Sequence, residues 1–587
     1  MRLNLLRRAV FAGLAVLWLG LAFTQAIAGR RYREQSERNR TRLVHLPAAR
    51  GSILDRNGRP LAEDRLSFEL AALPQELARP EATWVALSRF LRVSPEGLAE
   101  RYRKRFQARF APVTLARNLP REIAFHLEEE RGELPGILVR PIPQRTYPSG
   151  AAVGAALGTL GLIGPEELTR LKPYGYTIRD RIGKDGLELQ YDSLLRGESG
   201  GLHLEVNAQG KLVQQLGYLP PRRGRRIRVS LDARLQELCH QLLREYRGAV
   251  LVSDIRSGEI LLLDSSPSVD PGAFVDPDRQ EEVLSSLRDP KRPLFNRAIR
   301  AVVPPGSTFK AAVAYEALRE GKISPSAAFE CGGQLQMGRS TFDCWREGGH
   351  GPQTVREALQ HSCNVFFYNV GRRLGVTGVA RAAREFSLDR PSGIDLPRES
   401  RGLVPDPAWM RKALRQPWRE GDTVSFAIGQ SALQVTPIEM LMLFTAIAGD
   451  GAVPAPHLLL GVEQPASEGK DPGQPHWVSV SYRGRENRIR MDRSALAFVK
   501  EGLERVVESD SGTGRLAQVP GVRVAGKTGT SQVPHGEPHA WFCGYAPADS
   551  PRVGLVVFLE HGGKGGLQAA RLAGHLLAYL KEMGYLG

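Results

Sequence analysis

The sequence predicts a membrane-anchored α+β chain: an N-terminal apolar helix, a smaller α/β module and a larger unit that carries the chemistry. Three observations predict it. Residues 9–28 are uncharged and apolar, strand-like and helical patterns alternate over residues 63–143, and a Pro/Arg segment, PPRRGRR at residues 220–226, precedes two strands facing each other across a turn. The 587 residues are 42% hydrophobic and 24% charged, ample for a large core and too apolar for a disordered chain. Five cysteines in that length exclude a small disulfide scaffold. The formal net charge of +17 suits acidic partners. The arginines are scattered rather than clustered, however, which argues against nucleic acid.

The elements follow in chain order. Arg2, Arg7 and Arg8 precede the apolar run, whose roughly twenty positions span the ~30 Å hydrocarbon core as a helix. Ala26-Ile27-Ala28 also fits a signal-peptidase site, but the run exceeds a usual signal core and Arg30 and Arg31 would follow the cut, so a retained anchor is expected. Basic residues ahead of it predict a single-pass protein of the cytoplasmic (inner) membrane with its bulk on the periplasmic or extracellular side. Residues 438–448 are too short to cross and read as a core helix. The Arg-rich residues 30–49 read as a helical stalk. In RGSILDRNGRPLA, Ile53-Leu54 opens a strand and Asn57-Gly58 is a tight turn, which together give a hairpin. LSFELAAL then reads as strand and ATWVALSRFL as helix. A new unit begins at Ile227, with GAVLVSD and EILLLDSS joined at Ser257-Gly258. The expected division is residues 1–29 for cytoplasmic stub and anchor, 30–225 non-catalytic and 226–587 catalytic.

The chemistry is concentrated in three motifs. In PPGSTFKAAVAYEAL, Ser307 and Lys310 are three apart and share a helical face. At a helix N-terminus the serine would meet free N–H groups and the positive dipole end, which suits a nucleophile with a lysine base and a backbone oxyanion site. Lys310 must be neutral to accept a proton, and bringing it from a pKa near 10.4 towards neutrality takes ~4 kcal/mol, for burial and a second cation to supply. Alone, S-x-x-K reads as a helix cap followed by a solvated lysine. Ser362-Cys363-Asn364 follows fifty-five residues after Ser307, and Lys527-Thr528-Gly529-Thr530 comes 165 residues after Ser362. Singly, Ser362 and Asn364 read as helix caps and Gly529 as a strand bulge. In this order, S-x-x-K, S-x-N and K-T-G are the signature of penicillin-recognising serine acyl-enzymes.

On these motifs the sequence resembles the class B penicillin-binding proteins, and the resemblance covers nearly the whole chain. RGSILDRNG, RTYPSG and GLELQYDSLLRG fall where that family's pedestal lies. GDTVSFAIGQSALQVTPIEM (residues 421–440) is similar to the elongation type more than the division type, and HAWFCGYAPADSPRVGLVVFLE follows the K-T-G strand as in that family. The N-terminal part does not resemble the glycosyltransferase domain of class A relatives. The resemblance implies an α/β pedestal (dimerisation-type) domain and a transpeptidase domain in which an antiparallel sheet, flanked by helices and a helical subdomain, carries K-T-G on an edge strand.

The resemblance also implies a D,D-transpeptidase that cross-links peptidoglycan stem peptides ending in D-Ala-D-Ala, is inhibited by β-lactams and needs no cofactor for its chemistry. Ser307 would form the acyl-enzyme and Lys310 act as base. Ser362 would relay a proton to the leaving amine, Asn364 bind the substrate amide and Lys527 hold Ser362 in place. Thr528, Gly529 and Thr530 would line the substrate, with the Ser307 and Thr530 N–H groups as oxyanion hole. The implied partners are a SEDS-type, RodA-like glycan polymerase and other elongation proteins, with Arg50, Gly51, Asp55, Arg56, Asn57 and Gly58 coupling to the polymerase. A β-lactamase shares the motifs but needs no pedestal. A β-lactam sensor or scaffold, using Ser307 acylation as a signal, is the third reading, and the cytoplasmic piece of about eight residues argues against it.

One cluster stands outside these motifs. Cys331, Cys344, His350 and Cys363, spaced x12, x5 and x12, are the ligand types of a structural zinc site. One or two disulfides, or buried thiols, are the alternatives. Cys239 and Cys543 lie in apolar segments and read as packing residues, while His240 and His539 have no partner visible in sequence.

Overall fold

The computed structural model describes residues 2–27, 41–106, 112–178, 180–206, 212–464, 476–482, 484 and 487–587. A helix over Arg2–Ala22 runs into a π-helical turn at Phe23–Ile27. Its Leu3–Gln25 stretch has a mean hydropathy of 1.7 and is long and apolar enough to cross a membrane. Residues 30–40 of the expected stalk lie outside the described residues. Its end is not helical: Thr41–Leu46 is a strand paired antiparallel with Gly200–Val206. That pairing is long-range, and the local Arg-rich composition does not signal it.

The chain forms two compact units. The first comprises residues 1–51, 64–145 and 196–224. Thr41–Leu46, Gly200–Val206 and Leu212–Leu219 make one antiparallel sheet. The later part of the Pro60–Ala72 strand pairs with Val113–Leu119. Around it the helices Pro80–Leu91, Pro95–Arg105 and Arg121–Glu129 bury a core of Leu70, Leu87, Leu98, Leu115 and Leu127. This is the strand–helix alternation expected over residues 63–143. The buried Glu69 accepts hydrogen bonds from Arg140, at 2.8 Å, and from Thr114, so its charge is compensated. In the same unit the Arg50 N–H donates to Asp64 at 2.8 Å, and Arg145 donates to the Gly51 carbonyl at 2.8 Å.

The second unit comprises residues 52–63, 146–195 and 225–587. The division expected near residue 225 follows chain order, whereas the packing draws two earlier segments into this unit. The first is the hairpin: Ile53 and Leu54 pair with Ala62 and Pro60 around Gly58, whose φ of +86° meets the demand of the turn. The Asp55 side chain is fully buried and accepts from the Asn57 and Arg59 N–H groups at 2.8 Å and from Ala233 N–H at 3.2 Å. Asn57 donates to Asp232 at 3.0 Å and Arg56 pairs with Glu259 at 3.3 Å. D-R-N thus clamps the hairpin to its own unit. Asp55→Ala strands three N–H donors and is expected to cost about 2 kcal/mol, read as a lowered Tm of the full chain.

The central sheet of this unit is antiparallel, in the order Ile260–Ser266, Arg247–Asp254, Val553–Glu560, His539–Ala546, Ala525–Ser531. K-T-G therefore lies on an edge strand. Ala233–Leu243 and Gln568–Glu582 cover one face through Leu235, Leu243, Phe542, Val557 and Leu576. The other face packs on Pro437–Ala448 and the helical subdomain through Leu251, Leu263, Phe444 and Phe558. Burial on both faces explains the unbroken apolar run VGLVVFLE. Pro437–Ala448 is the core helix its length suggested, opened by a capping box between Thr436 and Glu439.

Candidate active site

Ser307 sits on a 3₁₀ turn, Gly306–Phe309, that runs into the helix Lys310–Arg319. Close backbone approaches fix this turn. The Gly306 N–H donates to the Gly429 carbonyl at 2.9 Å, and a Cβ at Gly429 would lie 2.0 Å from the Gly306 oxygen. A Cβ at Gly529 would lie 2.9 Å from both the Pro305 oxygen and Thr308 Cγ2. Gly529 is therefore no bulge, since its strand keeps register with His539–Ala546 throughout, and its missing side chain lets the edge strand touch the Ser307 turn. Gln430 adds a hydrogen bond to the Thr530 carbonyl at 3.4 Å.

Ser307 is half-buried, and Lys310, one turn on, is completely buried. Its Nζ donates to the Ser362 carbonyl at 2.8 Å and to Asn364 Oδ1 at 2.7 Å, with Ser362 Oγ at 3.4 Å. Burial pushes the Lys310 ammonium down to about 8 against the opposing pull of the Cys363 and Cys344 thiols. Lys527, also fully buried, is held well below its ordinary pKa, first by burial and then by Lys310. The expected effect of a second cation thus falls on Lys527. Lys527 Nζ donates to the Thr528 carbonyl at 3.1 Å, and no hydrogen bond joins it to Ser362 among the described residues.

The helix Val355–Gln360 presents Ser362. Beyond its end Ser362 takes φ +53°, its N–H donating to the Leu359 carbonyl at 3.2 Å and that of Cys363 to the Ala358 carbonyl at 2.9 Å. This is a Schellman closure with serine at the position glycine prefers. It turns the Ser362 carbonyl and hydroxyl onto Lys310. Cys363, rather than Ser362 or Asn364, caps the next helix, Asn364–Glu385, with Sγ accepting from Phe366 N–H at 3.5 Å. Asn364 is left to bridge Lys310 and the Asp343 carbonyl, the latter at 3.3 Å.

On the edge strand Thr528 is buried and Thr530 exposed. An edge strand leaves alternate N–H and C=O groups unpaired, a template for an extended peptide. The sequence reading assigned no role to Gly429, Gln430, Gln360, His361 or Thr513. All five touch the motif residues or hold those that do, yet each is a single small or polar residue whose contact is made by the fold.

Cys331, Cys344, His350 and Cys363 converge, with ligand atoms all within 4.8 Å of one another. Two small hairpins bring three of them, Phe329–Cys331 with Gly351–Gln353 and Gln334–Met337 with Ser340–Asp343, and Cys363 comes from the N-cap of the helix Asn364–Glu385. His350 Nδ1 lies 3.6 Å from Cys331 Sγ and 3.5 Å from Cys344 Sγ. Zn–S near 2.3 Å and Zn–N near 2.05 Å, at the tetrahedral angle, put sulfur and nitrogen ~3.6 Å apart, so the residues fit zinc. All five cysteines are unbridged. Cys239 and Cys543 are fully buried packing residues, His240 lies 3.5 Å from the buried Asp264, and the buried His539 accepts from His561 N–H at 3.0 Å.

A half-buried hydroxyl, a buried amine poised near neutrality, a second hydroxyl and a free strand edge define a serine acyl-transfer enzyme. Residues 248–578 match the family described as penicillin binding protein transpeptidase domain, and residues 45–229 match the penicillin-binding protein dimerisation domain. The peptidoglycan D,D-transpeptidase MrdA of Escherichia coli K12 is 32% identical over 95% of this chain and 92% of that protein. That of Acinetobacter baumannii is 32% identical over 96% and 85%. Among solved structures, the complex of penicillin-binding protein 2 with MreC from Helicobacter pylori aligns with a TM-score of 0.78 at 28% identity, covering 93% of this chain and 99% of that one. A peptidoglycan synthase complex, described as coordinating polymerization and crosslinking, aligns at 0.74 with 31% identity over 100% and 98%. The chain belongs to the penicillin-binding protein transpeptidase family, on the class B branch typified by penicillin-binding protein 2.

Proposed function

We propose that the protein cross-links peptidoglycan stem peptides during cell-wall elongation through an acyl-enzyme on Ser307. The observation that carries this reading is the completely buried Lys310, bonded to Ser362 and Asn364 one turn from the nucleophile. Neutral Lys310 takes the Ser307 proton as Oγ attacks the carbonyl of the penultimate D-Ala. The developing oxyanion lies on the N–H groups of Ser307 and Thr530. As the C–N bond breaks, Ser362 passes a proton to the leaving D-Ala amine, and Lys310 restores it. Lys527, its ammonium disfavoured by burial and then by Lys310, opposes a charge on Lys310 less than an exposed lysine would. Thr528 meets the terminal carboxylate. An amine of a neighbouring stem peptide then takes the acyl group and regenerates Ser307.

The apolar helix Leu3–Gln25 supports a single-pass location in the cytoplasmic membrane with the catalytic unit on the outer side. Residues 30–225 would serve as the pedestal and 226–587 as the transpeptidase domain. The similarity to a peptidoglycan synthase complex supports partnership with a RodA-like polymerase, and that to the MreC-bound protein supports wider elongation contacts. Of the coupling residues, Arg50, Gly51 and Asp55 are buried and Arg56 and Asn57 are engaged within the chain, which leaves the exposed Gly58 turn as the accessible part.

The test is intact-mass detection of a benzylpenicillin adduct. A stoichiometric adduct lasting hours on the wild type and absent from Ser307→Ala is expected. Rapid loss of the adduct with drug hydrolysis would make the protein a lactamase, and no adduct on folded wild type would overturn the reading. Cys331, Cys344, His350 and Cys363 would hold a structural zinc that stiffens the Ser362 turn. The wild type is expected to carry one zinc per chain by plasma emission, and Cys331→Ser/Cys344→Ser to lose it with a Tm lower by more than about 5 °C.

A further inference from the structure

The carboxylate-reading threonine of the edge strand has a second hydroxyl behind it. Thr528 Oγ1 donates to Thr513 Oγ1 at 2.9 Å. Thr513 belongs to the segment between the helix Arg493–Glu508 and the K-T-G strand, and this segment is tied down from the S-x-N side. The Thr513 N–H donates to the Gln360 carbonyl at 3.3 Å, and Gln360 Nε2 donates to Ser509 Oγ at 2.9 Å and to Ser511 Oγ at 2.7 Å. His361 Nε2 lies 3.1 Å from the same Ser511 Oγ. On its far side, a Cβ at Gly566 would lie 2.5 Å from the Thr513 carbonyl, so the loop is packed there too. The backbone at Thr513 is fixed in this way, and its hydroxyl meets that of Thr528.

We propose that Thr513 is a positioning residue for carboxylate recognition, held by Gln360 so that the S-x-N turn and the K-T-G strand share one hydrogen-bond network. In the resting protein Thr528 spends its only proton on Thr513. When a carboxylate arrives, Thr528 must turn that proton outward, and its oxygen then needs a donor. Thr513 supplies one by reversing the bond, so the pair passes from Thr528→Thr513 to Thr513→Thr528→carboxylate without moving a heavy atom. A valine at 513 keeps the shape and removes the donor. Thr528 then faces the anion with an unfilled acceptor and a hydroxyl free to rotate, a loss that falls on anionic ligands alone. This inference rests on the reading of the site as one that binds a carboxylate-terminated acyl donor.

The experiment compares second-order acylation rates by benzylpenicillin and by its methyl ester on full-length wild type, Thr513→Val, Thr513→Ser and Gln360→Met. Taking the acid-to-ester ratio within each protein cancels differences in folded fraction. Wild type is expected to prefer the acid strongly. Thr513→Val is expected to lose about 10- to 100-fold in that ratio, the range for a hydrogen bond to a charged group, with the ester rate nearly unchanged. Thr513→Ser keeps the donor and should retain the ratio within about threefold, and Gln360→Met should fall between the two. An equal drop for acid and ester in Thr513→Val would make the residue merely structural and overturn the proposal, and an unchanged ratio in Gln360→Met would overturn the part assigned to the Gln360 side chain and its bonds to Ser509 and Ser511. A wild type acylated without preference for the acid, or not at all, would instead overturn the underlying reading of the site.

Discussion

Replacing Lys310 by Met is expected to slow acylation by benzylpenicillin by about 10³-fold while the protein stays folded. Met keeps the length of the side chain in a fully buried slot and removes an amine whose ionisation burial already disfavours, so the Tm should hold or rise. What is lost is the base proposed above. The free amine is the active form, and with its pKa near 8 the wild-type rate should climb about tenfold per pH unit below that value and level off above it. In Lys310→Met the climb should vanish. A pH profile that keeps its inflection near 8 in the variant would assign the titration to another group and end the assignment of Lys310 as base. The Ser362 carbonyl and Asn364 Oδ1 explain why the amine waits where it does: both accept from it, and in the neutral amine these two bonds use its two N–H groups and leave the lone pair for the Ser307 proton.

How much of this was legible in the sequence depended on the range of the signal. The hairpin at Asn57-Gly58 and the core helix at Pro437–Ala448 were readable because local chemistry and burial agree at each. Thr41–Leu46 misled because its partner strand lies more than 150 residues away, and a polar, Arg-rich lead-in carries no trace of it. The same limit applied at the site. Order and spacing could identify the motif residues, but not that Gly529 is small because the nucleophile turn presses on it. Nor could they show that Lys527 gives its hydrogen bond to a backbone carbonyl, or that Gln360 and Thr513 link two motifs. The cysteine cluster was legible from ligand type alone. Its geometry depends on two nested hairpins and on the helix N-terminus that brings Cys363 to them, none of which ligand spacing shows.

Ser362→Gly should stabilise the protein and disable it at once. Ser362 occupies the left-handed position of a Schellman closure, where a side chain costs about 1 kcal/mol that glycine does not pay. The glycine variant is therefore expected to gain about 1 kcal/mol in denaturant unfolding of the catalytic unit, while acylation falls about 10²- to 10³-fold because no hydroxyl remains to relay the proton. Ser362→Ala separates the two effects: it removes the same hydroxyl and keeps the left-handed strain, so it should be as inactive as the glycine variant without its added stability. If alanine and glycine prove equally stable, the backbone at 362 is not strained and the serine is simply tolerated there. If glycine alone is stabilised, the fold asks for glycine at the point where the chemistry asks for an oxygen. The strain is then the cost of aiming both the carbonyl and the hydroxyl of one residue at Lys310. A serine in an ordinary helical or extended conformation could direct its hydroxyl there, but the peptide carbonyl that steadies the lysine would point elsewhere.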